Sequence, residues 1–224
     1  MNKKFTDIAK KSKVIVIKVG SNILVNDKYS LRKKWLGTLV SDVQKLRKKG
    51  SKVIIVSSGA IALGRNILSK KKLTNLHEKQ AAASIGQIQL SQQWQKAFAK
   101  EKIQSSQILI TAEDLNERRK YLNIRNTIFS LMDLNVIPII NENDTTSTEE
   151  IRFGDNDKLS AMIANALSAE LLILLSDVNG LYTSNPKKSL DAKLITDVDE
   201  INQDLEKFID KDLSEFGSGG MLAK

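Results

Sequence analysis

Cysteine is absent from this 224-residue chain, and histidine occurs once, at His77. The first absence excludes disulfides and thiolate metal centres, and it fits a reducing, cytoplasmic setting. The second leaves no ligand set for a zinc or iron cluster, so His77 reads as a surface residue. No apolar run reaches the roughly 18 residues that a membrane-spanning helix needs. The basic N-terminus, MNKKFTDIAKKSK, leads into a strand-length, β-branched segment too short for a secretory signal. Aromatic residues make up only 5% of the chain. They are not interleaved with the basic clusters Arg32–Lys34, Arg47–Lys49, Lys70–Lys72 and Arg118–Lys120, which form no single stripe. The net charge of +9 therefore reads as solvated surface that attracts small anions, with neither a membrane nor a nucleic acid expected as partner. Two phosphate-binding signatures are also missing. No G-x-x-x-x-G-K-[ST] loop occurs, and no G-x-G-x-x-G follows the first apolar run.

What is present describes a globular α/β chain. Hydrophobic residues at 41% and charged residues at 27% suffice for one buried core. VIVIKV at residues 14–19 is a β-branched run broken only by Lys18, as in a strand buried on both faces. Leu31, Trp35, Leu39, Val43 and Leu46 recur at helical spacing before Gly50. Further strands are expected at 53–56, 107–110, 136–140 and 171–175, with helices over 78–100, 120–134 and 158–167 and a surface excursion at 69–79. Strands alternating with helices at this spacing predict a mainly parallel sheet with crossovers on both faces. Such sheets bind ligands beyond the C-terminal ends of their strands. Polar residues stand at those ends here: Lys18 to Asn22, Ser57 to Gly59, Asn141 to Asp144, and Ser176 with Asp177.

Three glycine-containing stretches, KVGSN (18–22), SSGAIALG (57–64) and FGSGGMLAK (216–224), offer backbone N–H groups that can approach an anion. Lys18, costly inside an apolar strand unless paired or beside water or an anion, suits a charge aimed at phosphate as well as one that snorkels. The stretch IINENDTTSTEEIRFGDNDKLS (139–160) gathers carboxylates and amides at one strand mouth. It lacks EF-hand spacing, and a glycosidase-like acid pair would leave the glycine–lysine elements unexplained. A cleft with acids and amides at one end and lysines and glycine amides at the other accounts for both sets.

The motifs VIKVGSNIL, VSSGAIALG, KQAAASIGQIQL, VIPIINENDTT, IRFGDNDKLSAMIA, LLSDVNGLYTSNP and GSGGMLAK, in this order from Val14 to Lys224, resemble the amino acid kinase superfamily. The pairing of INEND with GDND and GSGGM is similar to its glutamate 5-kinase branch. The resemblance implies a three-layer α/β/α sandwich and transfer of the ATP γ-phosphoryl group to the side-chain carboxylate of L-glutamate, the first step of proline synthesis. It implies Lys18 and Lys224 flanking the phosphoryl group, with Asp157 holding them. It implies Ser58, Asn141, Asp144, Asp155 and Asn156 around glutamate. For the nucleotide it implies Lys18, Gly20, Ser176, Asp177, Ser218, Gly219, Gly220, Met221, Leu222, Ala223 and Lys224. Mg²⁺ is expected to ride on the ATP phosphates rather than on a protein metal site. A dimer or tetramer and inhibition by proline follow from the resemblance alone. Two expectations about extent come from the departure of this sequence from the family's length: residues 1–224 form a single kinase domain short of its final strand–helix units, and the small RNA-binding-like domain of many members is not expected. Ser218 stands where the family commonly has threonine, and Leu222-Ala223 where it has Ser-Thr. Alternatives left open are an acetylglutamate, aspartate or uridylate kinase of the same fold, and a non-catalytic module that binds an amino acid or RNA.

Overall fold

The VIVIKV run forms β1 (Val14–Val19), and it lies inside a five-stranded sheet with β2 (Lys52–Ser57), β3 (Ser105–Ile110), β4 (Ile137–Glu142) and β5 (Leu171–Leu175). The strand order is β3-β4-β2-β1-β5, and every pairing is parallel. The computed structural model describes residues 3–70, 72–147, 155–186 and 189–200, with Lys3, Lys4 and Asp155 placed by their backbone alone. Helices α1 (Lys3–Lys11), α2 (Ser21–Leu24), α3 (Lys33–Lys48), α4 (Ala60–Ile67), α5 (Leu76–Lys100), α6 (Ala112–Asn116), α7 (Arg118–Asp133) and α8 (Asp155–Ala166) surround the sheet. A small antiparallel pair, β6 (Leu181–Tyr182) and β7 (Leu194–Ile195), follows it.

The two-residue period of a strand sends alternate side chains to opposite faces. Ile15, Ile17, Val19, Val53, Ile55, Ile137 and Ile139 therefore share one core with α3, α4 and α5. Val16, Ile54, Val56, Ile110 and Ile140 share the other with α7 and α8. This is the expected three-layer α/β/α arrangement, and it makes the β1 and β2 sequences read as unbroken apolar runs. The same rule assigns the polar residues. Lys18 lies in phase with Val16 and faces α8; Asn141 lies in phase with Ile139 and faces α5.

Several boundaries differ from the sequence expectation. β4 runs through Asn141 and Glu142 instead of ending at Ile140, because the β3 ladder continues to pair Ile110 with Glu142. Leu76–Lys79, expected in a surface excursion, is already helical. Asn75 caps it by accepting the Glu78 N–H, and Glu78 accepts from Thr74 and pairs with Lys70. Such short-range caps outweigh the polar composition of the segment.

α4 and α5 are antiparallel and touch backbone to backbone. A Cβ on Gly64 would lie 1.7 Å from the Ala82 carbonyl oxygen, and one on Gly86 would lie 1.8 Å from that of Ala60. Only glycine permits this approach. Trp94 and Phe98, stacked with ring centroids 5.8 Å apart, bind the lower half of α5 to the sheet. The Trp94 indole N–H donates to Ser57 Oγ at 2.9 Å. Among the described residues no helix is long and apolar enough to cross a membrane.

Candidate active site

The C-terminal ends of the strands lie level with one another. Val19 pairs with Ser57 and Leu175, and Val56 pairs with Ile140, so Ser57 and Asn141 follow on neighbouring strands. Gly59, with φ of 113°, turns the chain from β2 into α4 at this rim; a side chain there would be strained. α8 begins at the same rim, with Asn156 and Asp157 in its first turn, where the positive end of a helix favours a carboxylate.

Lys18 Nζ sits 2.7 Å from Asp157 Oδ1, and the two side chains are only 8% and 3% exposed. The pair joins β1 to α8 across the face that strand alternation gave to Lys18. At this depth neither charge is tolerable without the other, since breaking a buried pair costs about 3–5 kcal/mol. Asp157 is further held by its helix, its carbonyl accepting from the Ser160 hydroxyl at 2.6 Å. Gly20 lies beside the lysine: its N–H donates to the Leu175 carbonyl at 3.2 Å, and a Cβ there would lie 3.6 Å from Lys18 Nζ. A lysine ammonium carries three donors, and the carboxylate pair uses one.

Beside the pair runs a network of side-chain amides. Asn156 Nδ2 donates to Ser58 Oγ at 3.0 Å and to Asn141 Oδ1 at 3.1 Å. Asn141 Oδ1 also accepts the Glu142 N–H at 2.9 Å, and Asn141 Nδ2 donates to Gln87 Oε1 at 2.7 Å. Asn156 thus bridges the strand ends from the α8 side to the α5 side. Asp144 lies half-buried in the turn after β4, and Gln80 of α5 reaches that turn by donating to the Ser147 carbonyl. Ser176 and Asp177 follow β5 at the sheet's other flank, Ser176 Oγ donating to the Val178 carbonyl at 3.2 Å.

The structure therefore brings together Lys18, Gly20, Ser58, Asn141, Asn156 and Asp157, with Asp144 on the β4 side and Ser176 and Asp177 on the β5 side. Asp155 opens α8, its side chain lying outside the described residues. Ser218, Gly219, Gly220, Met221, Leu222, Ala223 and Lys224 also lie outside them, so the second lysine has no described position. Sequence reasoning missed Gln87, because a glutamine in an amphipathic helix carries no functional mark of its own. The mid-helix Gly86 beside it was the available signal, since such a glycine commonly marks a close approach. Among the described residues no group of three or more His, Asp or Glu could hold a metal ion.

Three members of the basic clusters have partners away from the rim. Lys70 pairs with Glu78, Lys120 with Asp114 and Glu117, and Arg47 Nη2 donates to the Asn135 carbonyl. A cavity of about 390 Å³, lined by Arg47, Lys48 and Lys52, opens at the N-terminal ends of the strands, far from this rim. The chemistry-bearing residues lie at the rim and not in that cavity.

Comparison with known proteins bears on the family and the fold. The glutamate 5-kinase of Pelagibacter ubique (strain HTCC1062) is 50% identical over 216 residues, covering 96% of this chain and 59% of the relative. That of Nitrosospira multiformis (strain ATCC 25196 / NCIMB 11849 / C 71) is 46% identical over 218 residues, covering 97% and 59%. The chain thus spans about 59% of the length of these curated relatives. Among solved structures, an isopentenyl phosphate kinase substrate complex superposes with a TM-score of 0.63 at 15% identity, covering 88% of this chain and 83% of that one. The UMP kinase from Bacillus anthracis gives 0.59 at 19%, covering 82% and 72%. At those identities the likeness shows a shared fold. The sequence pattern of the amino acid kinase family matches residues 13–224. On that match the chain belongs to the amino acid kinase family.

Proposed function

We propose that this chain carries the kinase domain of an enzyme that phosphorylates the side-chain carboxylate of L-glutamate with ATP, giving L-glutamyl 5-phosphate for proline synthesis in the cytoplasm. Two independent lines support the reading: relatives at 45–50% identity carry the name glutamate 5-kinase, and the rim has the charges the reaction needs. The observation that carries it is the buried Lys18–Asp157 pair at 2.7 Å, set beside the Ser58–Asn156–Asn141 amides.

In the reaction a γ-carboxylate oxygen of glutamate attacks the γ-phosphorus of ATP, the bond from phosphorus to the bridging oxygen breaks, and ADP leaves with that electron pair. No proton moves, because the carboxylate is already ionised at neutral pH. The chain therefore needs no general base. Its task is to align two anions and offset their repulsion. Lys18, held by Asp157, supplies positive charge at the strand ends, and Lys224 is its proposed counterpart across the phosphoryl group. The amides of Asn141 and Asn156 with the Ser58 hydroxyl suit the carboxylates of glutamate, and Asp144 and Asp155 suit its ammonium. Gly20, Ser176, Asp177 and residues 218–224 are assigned to the nucleotide. Mg²⁺ bound to the ATP phosphates supplies further neutralisation. A homo-oligomer is the proposed working state.

The test is an ATP- and glutamate-dependent hydroxamate assay, run in parallel with aspartate and acetylglutamate as acceptors, and with UMP-dependent ADP release measured separately because UDP forms no hydroxamate. Glutamate-dependent acyl phosphate is the expected result. Phosphorylation of another acceptor in its place would overturn the substrate assignment.

A further inference from the structure

The amide network at the rim continues beyond the residues that the sequence marks, and its polarity can be deduced. The Glu142 backbone N–H can only donate, so the Asn141 atom 2.9 Å from it must be the carbonyl oxygen. The other end of Asn141 is then the NH₂ group, and it lies 2.7 Å from a Gln87 atom that must be an acceptor. Gln87 is oriented in turn, its Nε2 donating to Ser91 Oγ at 3.3 Å, and the Ser91 hydroxyl donates to Gln107 Oε1 on β3. From Asn156 through Asn141, Gln87 and Ser91 every donor points the same way, toward β3, while Asn156 also donates outward to Ser58 Oγ.

We propose that Gln87 is a positioning residue that locks the amide orientation of Asn141, and through it that of Asn156, so that the glutamate-recognising surface is set from α5. This rests on the glutamate-kinase reading for its substrate, though not for its geometry. A side-chain amide turns over at little cost unless its neighbours distinguish oxygen from nitrogen. Gln87 supplies that distinction at the nitrogen end. If Asn141 turned over, Asn156 would lose its 3.1 Å acceptor and keep Ser58 as acceptor and the Glu142 N–H as a donor 3.3 Å from its Oδ1. The lock is rigid because α5 is. Gly86, the preceding residue, lies against the Ala60 carbonyl, and Trp94 two turns on is bonded to Ser57.

Gln87→Met keeps the side chain's volume and removes its acceptor. The expected result is a glutamate KM raised at least about 10-fold, as loss of a partly buried hydrogen bond implies, with kcat and the ATP KM within about threefold of wild type. In an Asn141→Ala background the same substitution should add nothing further, because the two act as one unit. Nitrogen-15 side-chain amide signals supply a readout independent of activity: Q87M should shift the Asn156 resonances as well as those of Asn141. Additive effects in the double variant, or unchanged Asn156 signals, would overturn the proposal. Should Q87M not fold, Gln87→Glu retains an acceptor for Asn141, and it must leave the Asn156 signals in place. If wild type does not phosphorylate glutamate, the functional reading fails while the amide signals still decide the lock.

Discussion

The two ends of the sheet are built from the same residue types and use them differently. At the C-terminal rim a lysine and an aspartate are buried together, Lys18 with Asp157. At the N-terminal end Lys52 meets Asp133 at 2.6 Å, and the side chains are 45% and 69% exposed. Helix direction explains much of the difference. α3, α5 and α7 end at the N-terminal side, leaving carbonyls that need donors. Arg47 donates to the Asn135 carbonyl beyond α7, and Gln44 to the Glu101 carbonyl beyond α5, at 3.3 Å. Basic residues around the cavity there thus complement helix C-termini. At the rim, helix starts and strand ends converge, and the charges are held where water screens them least. A cation near a cavity is a weak sign of function; a cation buried against one carboxylate is a strong one.

The comparison can be broken at its strongest point first. Lys18→Met should lower kcat at least about 100-fold and destabilise the fold by about 3–5 kcal/mol, since Asp157 would lose its ammonium partner in a buried site. Turnover by the folded fraction, measured beside a denaturant titration, separates the two effects; near-normal turnover would remove Lys18 from the chemistry. Gly86→Ala comes next. It pushes a methyl group onto the Ala60 carbonyl and should cost about 3 kcal/mol by thermal or denaturant unfolding. Asp144→Ala should raise the glutamate KM about 10-fold or more while sparing the ATP KM, and an unchanged glutamate KM would place Asp144 outside the pocket.

The opposite end should respond weakly. A double-mutant cycle on Lys52 and Asp133 is expected to give about 0.2–1 kcal/mol, with kcat unchanged. A coupling as large as that at Lys18 would erase the contrast between the two ends. The smallest effect concerns Glu170, whose carboxylate accepts the N–H groups of Val14 and Lys13 at the start of β1. The Val14 hydrogen bond, then that of Lys13, holds its pKa below the ordinary glutamate value. A lowered folded-state pKa means that the contribution is complete above the unfolded value and is lost as pH falls through the folded one. Carboxyl chemical shifts across an acid titration should show Glu170 ionised after the exposed glutamates have protonated.

How much was legible in advance depended on whether a feature was local. The apolar runs fixed β1, β2 and β5 to within a residue. Boundaries drifted where a partner decided them: β4 extends through Asn141 and Glu142 because β3 is there to pair with it. α5 starts two residues early because Asn75 caps it. Small elements such as α6, closed by the Thr111–Asp114 capping box, carried a readable signal that was passed over.

From composition, periodicity and motif order alone came the α/β class, the rim as the candidate site, and the residue types waiting there. These follow from the chain's own stereochemistry, which needs no neighbour. That Asp157 would hold Lys18 came from the family resemblance and not from the residues themselves, and that Asn141 would meet Gln87 from 54 positions away was settled only by packing. Contacts of that separation depend on how α5 and α8 seat on the sheet, and the seating is set by close approaches such as Gly86 against Ala60 that no single segment specifies.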